Sequence, residues 1–253
     1  MKTLKVLSAL LSYPTQELVG AAREMKQALM REDVLPEREC HAVCGLIEDL
    51  AAHDTYDVQE RYILLFDRTR SLSLHLFEHV HGESRDRGQA MVDLIKVYEE
   101  GGFIPKTSEL PDFLPLFLEF AATRTPAEAI ALVGQPGHVF AALRERLAKR
   151  ASPYEAVFAA LGAIADVKLD EAALAGLRAE PDPEPDDLAA LDAAWEEEEV
   201  LFGPGAAAEA CGKEGLAAKL RQAHRPAPGM EAKRGQHPQT IVTHAGVQFR
   251  QGG

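Results

Sequence analysis

A chain of 253 residues with 46% hydrophobic content carries enough apolar side chain for one large domain or two small ones. Its 40 Asp and Glu against 27 Lys and Arg leave a formal net charge of −13 with no basic stripe, which excludes a nucleic-acid surface and favours basic or signal-like partners. No window reaches the run of about 18 apolar residues that a membrane span needs, so no direct membrane insertion is expected.

The opening MKTLKVLSALLSYPTQEL places Leu4, Leu7, Leu10 and Leu11 at helical spacing and lacks a small-residue cleavage site. This predicts an amphipathic helix, not a signal peptide, and hence a cytoplasmic protein. Pro14 breaks the pattern, and Thr15 caps a second helix with Leu18, Ala22, Met25 and Leu29 on its face. A third begins near Pro36 and buries Cys40, Val43, Cys44, Ile47, Leu50 and Ala51. Three cysteines, Cys40, Cys44 and Cys211, cannot all pair, which favours a reducing compartment. Cys40 and Cys44 read as core, because no further ligands with zinc-site spacing stand near them.

Asp54 or Thr55 starts the helix that enters Tyr62–Leu94, the most densely ionisable stretch of the chain. Here His75, His79 and His81, five acidic residues and four arginines flank a heavily apolar run. Tyr62, Leu65 and Phe66 fit one helix, and Leu74, Phe77 and Glu78 fit a second, joined through the polar DRTRS break. Ser71 or Ser73 can cap the second, and Gly82 marks its end. A third helix starts near Ser84, with Ala90, Met91, Leu94, Ile95 and Tyr98 on one face and Gly101-Gly102 closing it.

Pro111 and Asp112 then set the start of a deeply buried helix through Phe113, Leu114, Phe117, Leu118 and Ala121. Thr125-Pro126-Ala127-Glu128 and Ser152-Pro153-Tyr154-Glu155 each read as a capping box with proline at the first helical position. Between them Gly134-Gln135-Pro136-Gly137 is a loop and His138–Arg150 a helix; a last short helix follows Asp170. No run of alternating β-branched residues and no repeat period appear, so the fold class is all-α. From Glu180 to Glu199 there are ten acidic residues and no Lys or Arg, and the remainder is rich in Gly, Pro, Ala and Gln. The expected organisation is a helical domain over 1–179, an acidic linker with a short helix over 180–202, and a disordered tail over 203–253.

The sharpest enzymatic pattern is His75-Leu76-Phe77-Glu78-His79, which matches the H-x-x-E-H of inverted zinc peptidases. On a helix, His75 and His79 could share one metal with Glu78 as general base and Glu155 as a distant third ligand. The same cluster, followed by His81 and Glu83, also reads as the polar recognition patch of a helical adaptor. No G-x-S-x-G elbow and no G-x-x-x-x-G-K phosphate cradle accompany it.

The run LFDRTRSLSLHLFEHVHGESRDRGQAMVDL, followed by ELPDFLPLFLEF, resembles the respiratory nitrate reductase assembly chaperones of the NarJ type, within the wider redox-enzyme maturation family that includes TorD and DmsD. The likeness extends from Leu4 to Ala165 in helix order. It implies an all-helical, non-catalytic cytoplasmic chaperone that binds the apo catalytic (alpha) subunit of respiratory nitrate reductase through its N-terminal segment. Such a chaperone assists insertion of the molybdenum cofactor before membrane docking; the cofactor belongs to the client, so neither cofactor nor metal is expected here. Carried over residue by residue, the motif implies a client site of Asp67, Arg70, His75, Glu78, His79, Glu83 and Asp86, with Phe66 and Phe77 as apolar anchors. Read as plain structure, the two phenylalanines are core and Arg70 with Asp67 is a local ion pair. An acidic surface attracts a basic leader, and apolar positions beside the charged junctions could line a groove for it.

Overall fold

The described residues of this computed structural model, 1–81, 85–105, 109–165 and 169–183, all lie in a compact unit spanning Met1–Trp195. Gly82, Glu83 and Ser84 fall outside them, as do the acidic run beyond 183 and the whole of 203–253. In chain order the helices are α1 (Lys2–Leu10), α2 (Gln16–Gly20), α3 (Ala22–Glu32), α4 (Glu37–Ala52), α5 (Thr55–Phe66), α6 (Leu76–His81), α7 (Arg85–Glu100), α8 (Leu114–Ala122), α9 (Pro126–Gly134), α10 (Gly137–Lys149), α11 (Glu155–Ala165) and α12 (Glu171–Ala179). A 3-10 turn over Arg70–Leu72 joins α5 to α6. Among the described residues no strand forms, and the β-type pairing is an isolated antiparallel bridge of His75 with Phe113. The all-α expectation holds.

Each apolar stripe finds another to cover it, and the closest pairings are α1 on α8 and α10 on α11, with α11 also packed on α4. Every residue of α8 except Glu119 is buried, as its nearly uncharged sequence requires. Burial of each such Leu or Phe contributes about 1.5–3 kcal/mol of transfer free energy, more than an exposed ion pair can offer. A smaller cluster of Tyr98, Leu116 and Phe120 seats the end of α7 against α8, with the Tyr98 and Phe120 rings 4.8 Å apart. There Gly102 takes φ +69°, a left-handed conformation that would strain any side chain. Gly101 is small for another reason, since a Cβ would stand 2.6 Å from the Phe120 ring.

Three local expectations change in the folded chain. The second predicted helix is divided at Ala21 into α2, capped by the Thr15 hydroxyl at 3.2 Å from the Leu18 N–H, and α3. Thr125 and Glu128 form the predicted capping box. Ser152 and Glu155 do not, because the Arg144 guanidinium offers the Glu155 carboxylate a charged donor at 2.6 Å, and α11 starts only at Glu155. Ile95, expected on the inner face of α7, is 42% exposed, whereas Tyr98 is fully buried.

Candidate functional site

α5 begins with the Asp54 carboxylate accepting from the Tyr56 N–H at 2.8 Å and ends at Asp67, an exposed residue. The chain then crosses the 3-10 turn, where Arg70 is exposed while Ser71 and Leu72 are buried. Of the two expected capping serines, Ser73 accepts locally, from the His75 N–H at 3.2 Å just before α6. The first amides of α6 are taken up by a segment far away in sequence: the Leu76 N–H donates to the Asp112 carbonyl (3.0 Å) and the Phe77 N–H to the Asp112 carboxylate (3.1 Å). The Leu114 N–H donates back to the Leu74 carbonyl at 2.8 Å. Asp112, fully buried, thus does for α6 what an N-cap side chain ordinarily does from the preceding residue.

The same carboxylate gathers the charges of the stretch. His75 Nδ1 donates to it at 3.2 Å, and the Arg87 guanidinium stands 3.8 Å from it while donating to Glu78 at 3.1 Å. The hydrogen bond to Asp112 raises the His75 pKa above its ordinary value against the effect of burial. His79 is buried within α6, where Nε2 donates to the Ser73 carbonyl at 2.8 Å, and burial pushes its pKa down. Although Asp67 is exposed as a residue, partial desolvation of its carboxyl, reinforced by the Glu109 charge, raises its pKa.

These contacts do not support the peptidase alternative. His75 immediately precedes α6, and its Nδ1 is committed to the Asp112 carboxylate. His79 Nε2 is committed to a carbonyl, and Glu155 is committed to Arg144. Among the described residues no group of three His, Cys, Asp or Glu side chains is placed to hold a metal ion.

The carried-over residues divide by position. His75, Glu78 and, through Asp112, Arg87 form one network. Asp67, Arg70 and Asp86 lie at the surface, and Glu83 lies outside the described residues. Phe66 is core, 5% exposed, with ring contacts to Tyr62 at 5.0 Å and Tyr154 at 5.1 Å. Phe77 is half-buried beside His81.

Next to this network lies a cleft of about 390 Å³, floored by Phe103, Phe113 and Leu116 and edged by Ile104, which is 78% exposed. Two exposed carboxylates, Glu109 and Glu119, line it. Phe113 joins cleft to network, its ring 5.4 Å from that of His75. Sequence reasoning missed Asp112, which it took only for a helix start, and missed Phe103, Ile104 and Glu109 altogether. The available signals were the Pro111-Asp112 pair outside any helix and an isoleucine in the non-helical run after Gly102.

The model of the nitrate reductase delta subunit family matches residues 16–160. This chain belongs to that family. The match contains α5 through α8, so the network around Asp112 and most of the cleft lie within the family's shared region. Among family relatives, the nitrate reductase molybdenum cofactor assembly chaperone NarJ of Escherichia coli (strain K12) is 41% identical over 222 residues, which is 88% of this chain and 92% of that one. The probable nitrate reductase molybdenum cofactor assembly chaperone NarW of the same strain is 38% identical over 80% of this chain and 84% of its own. A probable NarJ chaperone of Bacillus subtilis (strain 168) is 36% identical over 47% of this chain and 64% of its own.

Proposed function

We propose that this chain is a non-catalytic cytoplasmic chaperone that binds the apo catalytic subunit of respiratory nitrate reductase by its N-terminal segment and assists molybdenum cofactor insertion. Family membership supports the role, as do the two Escherichia coli relatives, which are named as an assembly chaperone and a probable assembly chaperone and align over 88% and 80% of this chain. The observation that carries the binding mode is the cleft lined by Phe103, Ile104, Phe113 and Leu116 together with Glu109 and Glu119, and joined through Phe113 to the His75–Asp112 network. An apolar floor with acidic edges suits an amphipathic segment bearing a few Lys or Arg. Asp67, Arg70, Glu78, Glu83 and Asp86 are then charged positions around the seat, and Phe77 is an apolar neighbour. His75 is held toward it by Asp112. His79 and Phe66 support the scaffold from inside.

The test is a calorimetric titration of the protein with an N-terminal peptide of the nitrate reductase catalytic subunit, set beside a scrambled peptide of the same composition. Saturable binding of the native peptide, weakened severalfold by Glu78→Ala, Asp86→Ala or Ile104→Asp, is expected. Equal binding of the scrambled peptide would turn the reading into that of a general helical adaptor. No saturable binding of either would remove the client assignment.

A further inference from the structure

Arg146 of α10 and Arg150, which caps its C-terminus, have almost wholly buried side chains, and both turn toward the short segment that follows α12. Arg146, 6% exposed, donates to the Ser71 carbonyl at 2.7 Å, to the Leu177 carbonyl and to the Glu180 carboxylate at 3.3 Å. Arg150 has a side chain only 5% exposed and donates to both carboxylate oxygens of Asp182, at 2.6 and 3.1 Å, and to the Pro183 carbonyl at 2.8 Å. The Ser71 hydroxyl donates to the same carboxylate at 2.8 Å, and the Lys149 ammonium stands 3.5 Å away. The sequence pattern read this acidic, proline-rich segment as solvated; its first residues are instead gripped.

The grip is well matched in chemistry. A fork of guanidinium N–H groups meets a carboxylate in two parallel bonds, the strongest arrangement such groups make. Glu180 leaves α12 at φ −67° and ψ 146°, and Pro181 and Pro183 flank Asp182 with fixed φ and no N–H of their own. The segment therefore arrives already extended, with little freedom to lose on docking. Burial works against the charged form of Asp182, yet the hydrogen bonds from Arg150 and Ser71 outweigh it and hold the carboxyl below its usual range.

We propose that Ser71, Arg146, Lys149 and Arg150 form a cradle for an extended acidic peptide, that the chain's own Glu180–Pro183 segment occupies it, and that this segment acts as a latch on the α5–α6 junction. Ser71 is the joint between the two. It belongs to the 3-10 turn, whose own bonds are weak ones, from Leu72 N–H to the Thr69 carbonyl (3.2 Å) and from Ser73 N–H to the Arg70 carbonyl (3.1 Å). His79 holds that turn from α6 through the Ser73 carbonyl, Arg146 holds it from α10 through the Ser71 carbonyl, and the latch holds it through the Ser71 hydroxyl on Asp182. Without the latch, Arg146 loses the Glu180 carboxylate and Arg150 the Asp182 carboxylate, so a competitor for the cradle must itself be anionic. The turn lies between Asp67 and His75, so its order bears on the client site; that last step rests on the chaperone function proposed above, whereas the latch does not.

The experiment is hydrogen–deuterium exchange on the full chain, comparing wild type with Asp182→Asn and with Ser71→Ala, at low and high salt, alongside client-peptide affinity. Amides of Leu72 and Ser73 should exchange about tenfold faster in either variant, and faster in wild type at high salt, while amides of α8 stay unchanged. Unchanged exchange at the turn overturns the latch. Acceleration shared equally by α8 means global loosening and overturns it as well. Faster exchange at the turn with unaltered client affinity overturns the coupling to the client site, and loss of client binding by wild type itself would fall on the chaperone reading alone.

Discussion

The interior between α8, α10 and α11 and the junction over Asp67–His81 both bury side chains, but these are held in opposite ways. The first is closed by Leu, Ala and Phe with rings such as Phe140 and Phe158 in contact, and asks nothing of direction. The second contains or touches Thr69, Ser71, Ser73, His79, Asp112 and Arg146, which are six of the eight buried polar residues described. Each of the six has a hydrogen-bond partner in another turn or helix. An apolar interior accepts many arrangements of similar volume, whereas paired polar groups accept few, since an unmatched buried donor or charge is costly. The junction is where the molecule fixes one geometry, and it is also the stretch that carries the site.

The largest effects should separate the two regions by kind. Phe158→Ala, at 1% exposure in α11, should lower unfolding free energy by about 3–5 kcal/mol in urea titration through the cavity it leaves. In the fraction that stays folded, client-peptide affinity should hold. Asp112→Ala should lower it by about 3 kcal/mol, because the Phe77 N–H, His75 and Arg87 lose a common partner. Here affinity should fall too. Equal retention of affinity in both variants would erase the distinction between scaffold and junction.

A medium effect distinguishes two histidines four residues apart. His75, with a raised pKa, contributes stability that is complete below the unfolded value of about 6.5 and is lost as pH rises through its folded value. His79, with a lowered pKa, binds its proton more readily when unfolded, so it removes stability as pH falls through about 6.5 toward its folded value. Between about pH 7 and about pH 5, His79→Gln should lose less stability than wild type, and His75→Gln should lose more. Superimposable profiles for the three proteins would show that the two environments do not differ in this way.

Much of the scaffold was legible in the sequence because helical spacing is local: the stripes of α1, α4, α8 and α11 and the Thr125 cap need only neighbours along the chain. The division between α2 and α3 and the open capping box at Ser152 were not, since both are decided by competition, in the second case with an arginine on another helix. The site shows the same limit more strongly. The His75–Glu78–His79 pattern announced chemistry, but its meaning depends on Asp112, 37 positions away from His75, and on Ser73, which turns His79 inward. Asp182 looked like one more solvated acid because it lies in a run, Glu180 to Glu199, that holds no Lys or Arg; its partners Arg150 and Ser71 are brought to it by folding.

The smallest effect is expected at Glu155, which the zinc reading would have made a ligand. Its carboxylate is 31% exposed and meets an Arg144 that is 45% exposed, so water screens much of their attraction and ordering two side chains offsets more. Glu155→Ala should therefore change urea stability by less than about 1 kcal/mol and leave client-peptide affinity and zinc content where they were. Under the peptidase alternative the same substitution would strip a ligand from a metal centre and lower bound zinc measurably. The contrast with Asp112 is then complete: two carboxylates each pair with a cation across helices, and only the one that also caps a helix inside the polar junction should matter to the fold and to the client.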